Sequence, residues 1–263
     1  MVSKVAIVEL DGDAQQSFLQ ALKLIGDFDL NQEERSVAVK VGVFSHKGKM
    51  FPTVPVVQAI ATSFDKAPRI FIAESDNYRG TGMERLQIYK KLFDERVVPF
   101  NLSEDTNTRN VKIADEDMGF SHILFKPNVL VSTHALRRYE KGTILKNLLG
   151  LISERKKARF HKKLVKVLLD VYERIGGIDL AVIDATRTYS GPAGRKAIDT
   201  NVLIIGRDAV AVETVGATLV GLNPQKMPII QKAVKRGLGE GDLENIRILG
   251  ASLESLEERF HQL

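Results

Sequence analysis

Short apolar runs alternate with longer amphipathic stretches along this chain, and that alternation constrains the fold more than any other feature. The strand-like runs lie at 5–10, 36–44, 69–75, 96–100, 122–132, 179–184, 201–206 and 245–249, and the helical patterns at 14–25, 53–64, 83–93, 208–220 and 227–235. Such alternation is typical of α/β folds. Residues 70–73 and 202–205 are apolar at consecutive positions, as in parallel strands buried on both faces. The sequence therefore predicts a layered α/β fold with a largely parallel or mixed sheet flanked by helices.

The chain shows no internal repeat and no low-complexity linker. We therefore expect a single α/β domain over residues 1–263. The polar stretch near 101–118 is the candidate for a sub-domain boundary or an excursion from the main sheet. No apolar run reaches 18 residues, and the first apolar run is interrupted by an acid too early for a signal peptide. These features predict a cytoplasmic protein with no membrane contact.

The sequence contains no cysteine. Disulfides, thiolate zinc sites and cysteine-ligated iron–sulfur clusters are therefore excluded on this chain. A divalent metal held by oxygen ligands remains compatible with the composition. No cofactor is predicted more specifically than that.

Ligands of open α/β sheets bind at the carboxyl ends of strands, so the residues that follow each predicted strand are candidates. Glu74 and Ser75 close the third strand, and Asp184 ends a later one. Asp208 follows the run at 201–206, where the alternative is a helix N-cap. Glu213 lies in an otherwise small and apolar helical run, where a carboxylate is expensive unless it is paired or faces a cleft.

Two further segments suit an anion. The loop from Gly191 to Gly194 follows a strand-like run and mixes glycine with hydroxyl and basic neighbours, which lets backbone amides approach a ligand; the alternative is a plain turn. Lys146 and Asn147 lie beside an apolar helical face. A lysine there either reaches a ligand or extends its amine to water along the surface.

The positive charge of the chain, +5 overall, is concentrated between residues 137 and 163. That segment holds ten Lys or Arg against two Glu. It would attract phosphates, nucleic acid or an anionic substrate, although such runs are often only solvated helix faces. His134 and His161 flank the basic region and are the histidines best placed to meet a ligand.

This order of residues resembles a widespread family, domain of unknown function 362. The resemblance rests on Lys40, 55–57, Glu74, Ser75, Thr133, His134, Thr143, Lys146, Asn147, Gly150, His161, Asp184, 191–192, Gly194, Asp208, Ala211 and Glu213. Thr133, in the Thr-His motif, is a further candidate for ligand binding. The chain departs from the family pattern at Ser132, where relatives usually carry a lysine. It also lacks the cluster-binding cysteines of many relatives, and the resemblance implies no particular reaction.

These observations predict an enzyme or binding protein for a small phosphate- or carboxylate-bearing ligand. Lys40, Lys146 and the loop 191–194 would bind the anion. Asp184 and Glu213 would act as acid and base or hold a metal, and His134 or His161 would carry a proton. Two alternatives stay open: nucleic-acid binding through 137–163, and an accessory protein whose basic surface docks an iron–sulfur redox partner.

Overall fold

The computed structural model describes residues 2–26 and 29–260. The strands are β1 (Ser3–Glu9), β2 (Val37–Val41), β3 (Ile70–Glu74), β4 (Val97–Asn101), β5 (Thr108–Ile113), β6 (Glu116–Ser121), β7 (Val129–Arg138), β8 (Leu180–Ser190), β9 (Ala197–Gly206) and β10 (Ile246–Gly250). The helices are α1 (Ala14–Ile25), α2 (Val54–Ser63), α3 (Gly82–Leu86), α4 (Ile144–Asn147), α5 (Leu164–Ile175), α6 (Ala209–Leu219), α7 (Pro228–Lys235) and α8 (Leu253–Phe260). Short 3-10 helices cover Gln87–Leu92, His122–Leu124, Leu148–Leu151, Lys157–Lys163, Pro224–Lys226 and Leu243–Asn245.

Eight strands form one sheet in the order β10-β1-β9-β8-β7-β2-β3-β4. Within the described residues, β9 alone runs antiparallel to both of its neighbours. The other contacts in the sheet are parallel. The predicted α/β class with a mostly parallel sheet is therefore confirmed.

Apolar side chains cover both faces of the sheet. On one face, α1 and α2 pack with Val39 and Ile72 of the central strands. On the other face, α5, α6 and α7 pack with Ile183 and Ile204. Because the central strands are buried on both sides, their sequences are apolar at consecutive positions rather than alternating.

Local signals set several helix ends. Asp13 caps α1 by accepting hydrogen bonds from the amides of Gln15 and Gln16, and Asp208 caps α6 in the same way. Helix α5 ends at Gly176, whose φ of 90° is a left-handed conformation that glycine adopts easily.

Three local expectations differ from the structure. The pattern at 83–93 is not one α-helix, since α3 gives way to a 3-10 helix at Gln87. The stretch 122–132 begins with a 3-10 turn, and strand β7 starts only at Val129. Helices α5 and α8 were not predicted, although the buried residues of α5 follow helical spacing.

The polar stretch near 101–118 contains β5 and the start of β6, which form a separate two-stranded hairpin. The sequence did not predict these two strands. Most of β5 is exposed, which explains its polar sequence. Ile113, Met118 and Phe120 nevertheless belong to the same apolar cluster as α5. The hairpin thus leaves the main sheet but packs against its helical layer.

Candidate functional site

Strands β2 and β7 lie side by side, but the chain leaves them in opposite directions. The connection after β2 leads to β3 on one side, and the connection after β7 leads to β8 on the other. Helix α2 and helices α4 and α5, which follow these strands, cover opposite faces. Ligands of open α/β sheets bind at such switch points, where the diverging connections leave a crevice at the carboxyl ends of the strands.

A cleft of about 360 Å³ opens at this point, and we call it the switch cleft. Its wall includes residues from the ends of β2, β3 and β7, from the segment 146–161 and from the tip of the β8–β9 hairpin. The basic side chains that line it are Lys40, Arg79, Arg85, Arg137, Lys146, Arg155 and Lys157. Among the described lining residues, Glu74 is the one carboxylate. The lining is therefore strongly cationic.

Glu74 neutralises two of these cations at the floor of the cleft. Its Oε1 lies 2.9 Å from the Nζ of Lys40, and its Oε2 lies 3.1 Å from Arg85. Lys40 also donates to the carbonyl of Val41 and to Oδ1 of Asn147. Burial alone would raise the pKa of Glu74, but the charges of Lys40 and Arg85 outweigh it and hold that pKa below its usual range.

Gly150 permits this packing. A Cβ at position 150 would lie 2.7 Å from both Cε and Nζ of Lys40. Real Cβ atoms do not approach other atoms so closely, and Lys40 is held by three acceptors. A glycine is therefore required where the segment after α4 crosses the buried lysine.

Glu213 holds the opposite wall of the cleft from behind. It lies on α6, and its two oxygens accept hydrogen bonds from the amides of Thr143 and Leu145, at 2.7 and 2.8 Å. Gly142 approaches Glu213 so closely that a Cβ there would lie 3.1 Å from Oε2. Burial raises the pKa of Glu213, against the opposing effect of the two amides and of Arg137. The carboxylate thus fixes the backbone that carries Lys146.

Asn147 fixes the same short helix from the sheet side. Its amide nitrogen donates to the carbonyls of Lys40 and Thr133 and to the hydroxyl of Ser132. Ser132, the position where the chain departs from its relatives, is therefore an acceptor for this asparagine. Residues 145 and 147 are anchored on either side of Lys146.

Lys146 is the exception among the lysines of the cleft. Its side chain makes no hydrogen bond or ion pair with any residue that the structure describes, and it lines the cleft. Burial lowers its pKa to about 7, and Arg137, Lys141 and Lys157 act in the same direction. No carboxylate opposes these effects. The ammonium form is therefore destabilised until a negative charge enters the cleft.

His134, on β7, faces the cleft as a neutral imidazole. Its Nδ1 lies 2.7 Å from the carbonyl oxygen of Ala135. Because a carbonyl can only accept, Nδ1 carries the hydrogen and Nε2 carries a lone pair. Burial lowers the pKa of His134 well below its usual value, and the charges of Arg137, Lys40 and Lys146 add to this. His134 fits because its neighbour is Gly42, whose added Cβ would collide with the ring.

Ser75, Lys157 and His161 complete the mouth. The Nζ of Lys157 lies 3.0 Å from the hydroxyl of Ser75 and also donates to the carbonyl of Asp76. Burial lowers the pKa of Lys157 to about 8. His161 is exposed at the rim, and partial burial, with Lys146 and Lys141, lowers its pKa.

A family model described as domain of unknown function (DUF362) matches residues 37–218. The chain belongs to this family. The match extends from the start of β2 to α6, and so it contains every residue that lines the switch cleft. A search of curated proteins finds no match.

The structure brings together most of the site residues that the sequence indicated for this DUF362 protein. The switch cleft is lined by Lys40, Glu74, Ser75, His134, Lys146, Asn147 and His161. Their motifs are separated in sequence and meet only because β2, β3 and β7 end at the same edge of the sheet.

Four of the remaining residues do not line the cleft. Asp184 accepts hydrogen bonds from the amides and hydroxyls of Thr53 and Thr186, and it thereby fixes Thr53, the residue that precedes α2. Glu213 holds residues 143–145 from behind. The hydroxyl of Thr133 is buried and has no partner among the described residues.

Asp208, the fourth, lies at the other end of the sheet. It follows β9, and because β9 runs antiparallel to β8, its carboxyl end meets the amino end of β8. There Asp208 accepts hydrogen bonds from the amides of Val210, Ala211 and Glu240. The direction of one strand separates it from the cleft.

Gly191 and Gly194 lie at the tip of the β8–β9 hairpin, both with positive φ. The residues between them, Pro192 and Ala193, line the cleft. Strand β8 continues past residue 184, and β9 begins before residue 201, so both strands extend beyond their apolar segments. These extensions pair with each other and form the hairpin. No helix begins at this loop, so it offers backbone and side chains but no helix N-terminus.

Sequence reasoning did not single out Arg85, Arg137 or Lys157 as site residues. Arg85 follows a capping box formed by Thr81 and Glu84, which marks a helix start but does not indicate that an arginine is buried. Arg137 and Lys157 were counted only as part of a basic segment. Arg137 lies on β7 and Lys157 begins the 3-10 helix Lys157–Lys163, and both side chains line the cleft. The density of charge along the sequence does not show which side chains face a cleft.

Among the described residues, no group of three or more His, Cys, Asp or Glu is arranged to hold a metal ion. No helix in the described ranges has the length and hydrophobicity to cross a membrane.

Proposed function

We propose that this protein binds a small anionic molecule, bearing a phosphate or a carboxylate, in the switch cleft. One observation carries the proposal: Lys146 lies in a cationic cleft with no partner among the described residues. Lys146 is part-buried, and holding it among other cations without a counter-charge is costly. Such groups cluster at functional sites. An anion in the cleft would supply the missing partner.

Three cations would contact the anion from different sides. Lys146 offers its full ammonium group. Arg137 donates through Nε and Nη2 to the carbonyl of Gly142, which leaves Nη1 for a ligand. Lys157 uses two of its three hydrogens on Ser75 and Asp76. The neutral His134 and the rim residue His161 would exchange protons with the bound molecule.

The lysine pKa makes the proposal dependent on pH. An anion favours the ammonium form of Lys146, so binding raises its pKa from about 7 and takes up a proton when the free amine is neutral. Affinity for a non-reacting anion therefore falls as the pH rises through 7.

The distribution of the basic segment favours a small ligand over a nucleic acid. Lys146 and Lys157 line the cleft, while Arg159 and Lys163 form ion pairs with Glu116. Nucleic-acid binding needs a row of uncommitted cations that follows the phosphates. The docking of an iron–sulfur partner through the exposed basic residues stays a prediction.

Isothermal titration with inorganic phosphate and with pyruvate, at pH values on either side of 7, tests the proposal. We expect phosphate binding that weakens above pH 7, and we expect Lys146→Ala to remove the binding of both probes. Lys162→Ala is the matched control, because it removes one exposed charge from the same segment without reaching the cleft. Native mass spectrometry of the purified protein would identify a retained anion. Absence of binding by both probes, together with a ligand-free native mass, would reject the proposal, as would equal losses in the two variants.

A further inference from the structure

The three lysines that line the switch cleft differ in what their amines contact. Lys40 donates to Val41, Glu74 and Asn147, which uses all three ammonium hydrogens. Lys157 donates to Ser75 and Asp76. Lys146 donates to no described residue. Among the described residues of the cleft, its amine is the one that no hydrogen bond holds.

The backbone of Lys146 is held on both sides. Leu145 donates its amide to Glu213, and Asn147 bonds to β2 and β7 through its side chain. The flexible lysine stem therefore projects from a fixed point into the cleft. Such anchoring places a reacting group without the entropy loss of ordering a loop.

We propose that Lys146 is a nucleophile that forms an imine with the carbonyl group of a small oxo acid bound in the switch cleft. This inference rests on the anion-binding function proposed above and adds the substrate class: a carboxylate for the cleft cations and a carbonyl for the amine. A lysine becomes nucleophilic when it is desolvated and surrounded by cations, because both effects favour the neutral amine.

The bond changes balance without an oxidant. The amine lone pair forms a bond to the carbonyl carbon, and the carbonyl electrons pass to oxygen, which takes a proton from His161 or water. The nitrogen loses a proton to Nε2 of His134, which is neutral and carries a lone pair there. The nitrogen lone pair then forms the C=N bond as the C–O bond breaks. The oxygen leaves as water with the proton that His134 returns, and the product is a protonated imine.

The two proposals have opposite pH dependence. Imine formation needs the neutral amine, so its rate rises as the pH increases through about 7. Binding of a non-reacting anion needs the ammonium form and falls over the same range. The same titrating group thus predicts two opposite trends.

Reductive trapping tests the inference. The full chain is incubated with pyruvate and sodium cyanoborohydride, and the adduct is located by intact mass and peptide mapping. We expect one reduced adduct, on Lys146, that forms faster above pH 7 and is suppressed by excess inorganic phosphate. Lys146→Arg keeps the positive charge but cannot form an imine, so it should abolish trapping and retain phosphate binding. Lys162→Arg should trap as the unaltered chain does.

The outcomes separate the two proposals. If phosphate binds but the adduct is absent, or is spread over exposed lysines such as Lys141 and Lys162, the imine is rejected and the anion site stands. Undiminished trapping in Lys146→Arg would also reject the imine. Peptide mapping of the unaltered chain decides the matter even if that variant does not fold. If neither phosphate nor pyruvate binds, the anion-binding proposal itself fails.

Discussion

The two walls of the switch cleft use the same kinds of side chain in different ways. On the β2–β3 wall, Lys40 and Arg85 are buried cations neutralised by Glu74. On the α4 wall, Glu213 binds backbone amides instead, and Lys146 pairs with no carboxylate of the described residues. The comparison distinguishes charges that hold the fold together from a charge that is left for a ligand.

The two buried glutamates show the same contrast in their pKa values. Burial alone would raise both. The cations beside Glu74 reverse that effect and lower its pKa, whereas the amides and Arg137 near Glu213 do not, and its pKa stays raised. A paired carboxylate strengthens folding at neutral pH, and an unpaired one weakens it.

The largest effect should come from removing the charge of Glu74. Glu74→Gln keeps the side-chain volume but leaves two buried cations without a counter-charge, so we expect a loss of about 3–5 kcal/mol in the free energy of unfolding. Urea denaturation measures it. Glu116→Gln is the control, because Glu116 pairs with Arg159 and Lys163 at an exposed site. Similar losses of stability in both variants would mean that the buried pairs of Glu74 stabilise the fold no more than the exposed pairs of Glu116 do.

A smaller loss should follow from crowding the same wall. In Gly150→Ala the new methyl group would lie 2.7 Å from the pinned amine of Lys40. Overpacking of this kind costs about 1–3 kcal/mol. Thermal unfolding measures the loss. Gly48→Ala is the control, because Gly48 lies in an exposed loop where the new Cβ would be 3.4 Å from its nearest atom, and its stability should be nearly unchanged. A tolerated Gly150→Ala would show that Lys40 is free to move.

Glu213 should give the α4 wall a distinct pH dependence. Its raised pKa means that the folded state keeps the proton to a higher pH than the unfolded chain. The stability linked to this proton is therefore present below the ordinary glutamate pKa and is lost as the pH rises through the folded-state pKa.

Glu213→Gln should remove that dependence, which is at most about 1.4 kcal/mol per pH unit for one proton. It should also lower stability by about 1–3 kcal/mol, because one buried amide loses its acceptor. Denaturation curves across the acid range measure both effects. Glu258→Gln, at an exposed position on α8, should leave the pH profile unchanged. If the Glu213 variant keeps the profile of the unaltered chain, that carboxyl is not the source.

The smallest change in stability should come from Lys146 itself. Lys146→Met removes a cation that has no partner, so we expect stability to fall by no more than about 1.5 kcal/mol, or to rise. Lys40→Met leaves Glu74 with one cation fewer and should be clearly more damaging in the same assay. If the two variants lower the free energy of unfolding equally, Lys40 and Lys146 do not differ in their contribution to stability.

Much of the fold could be predicted because its signals are local. The apolar runs at 5–10 and 70–73 and the helical spacing at 14–25 appear in the structure as β1, β3 and α1. The β5–β6 hairpin could not be predicted, since its first strand is largely exposed and lacks an apolar pattern. The family could be inferred from motif residues in sequence order, and the family model confirms it.

The candidate site was predictable in membership but not in roles. Strand ends indicated Glu74 and Ser75, and the neighbouring basic segment indicated His134. All three line the cleft. Asp208 also follows a strand, but the sequence does not state that β9 runs antiparallel. Nor does it show that the carboxylate of Asp184 is occupied by Thr53 and Thr186.

The sequence by itself determined the α/β layering, the family and the accumulation of basic residues after β7, because periodicity, motif order and composition are properties of neighbouring residues. Tertiary structure alone decided which lysine is neutralised and which is left unpaired. Lys40 meets Glu74 across 34 positions and Asn147 across 107, while no acid in the described ranges pairs with Lys146. Charge pairing depends on distances of a few ångströms, and only the folded sheet sets those distances.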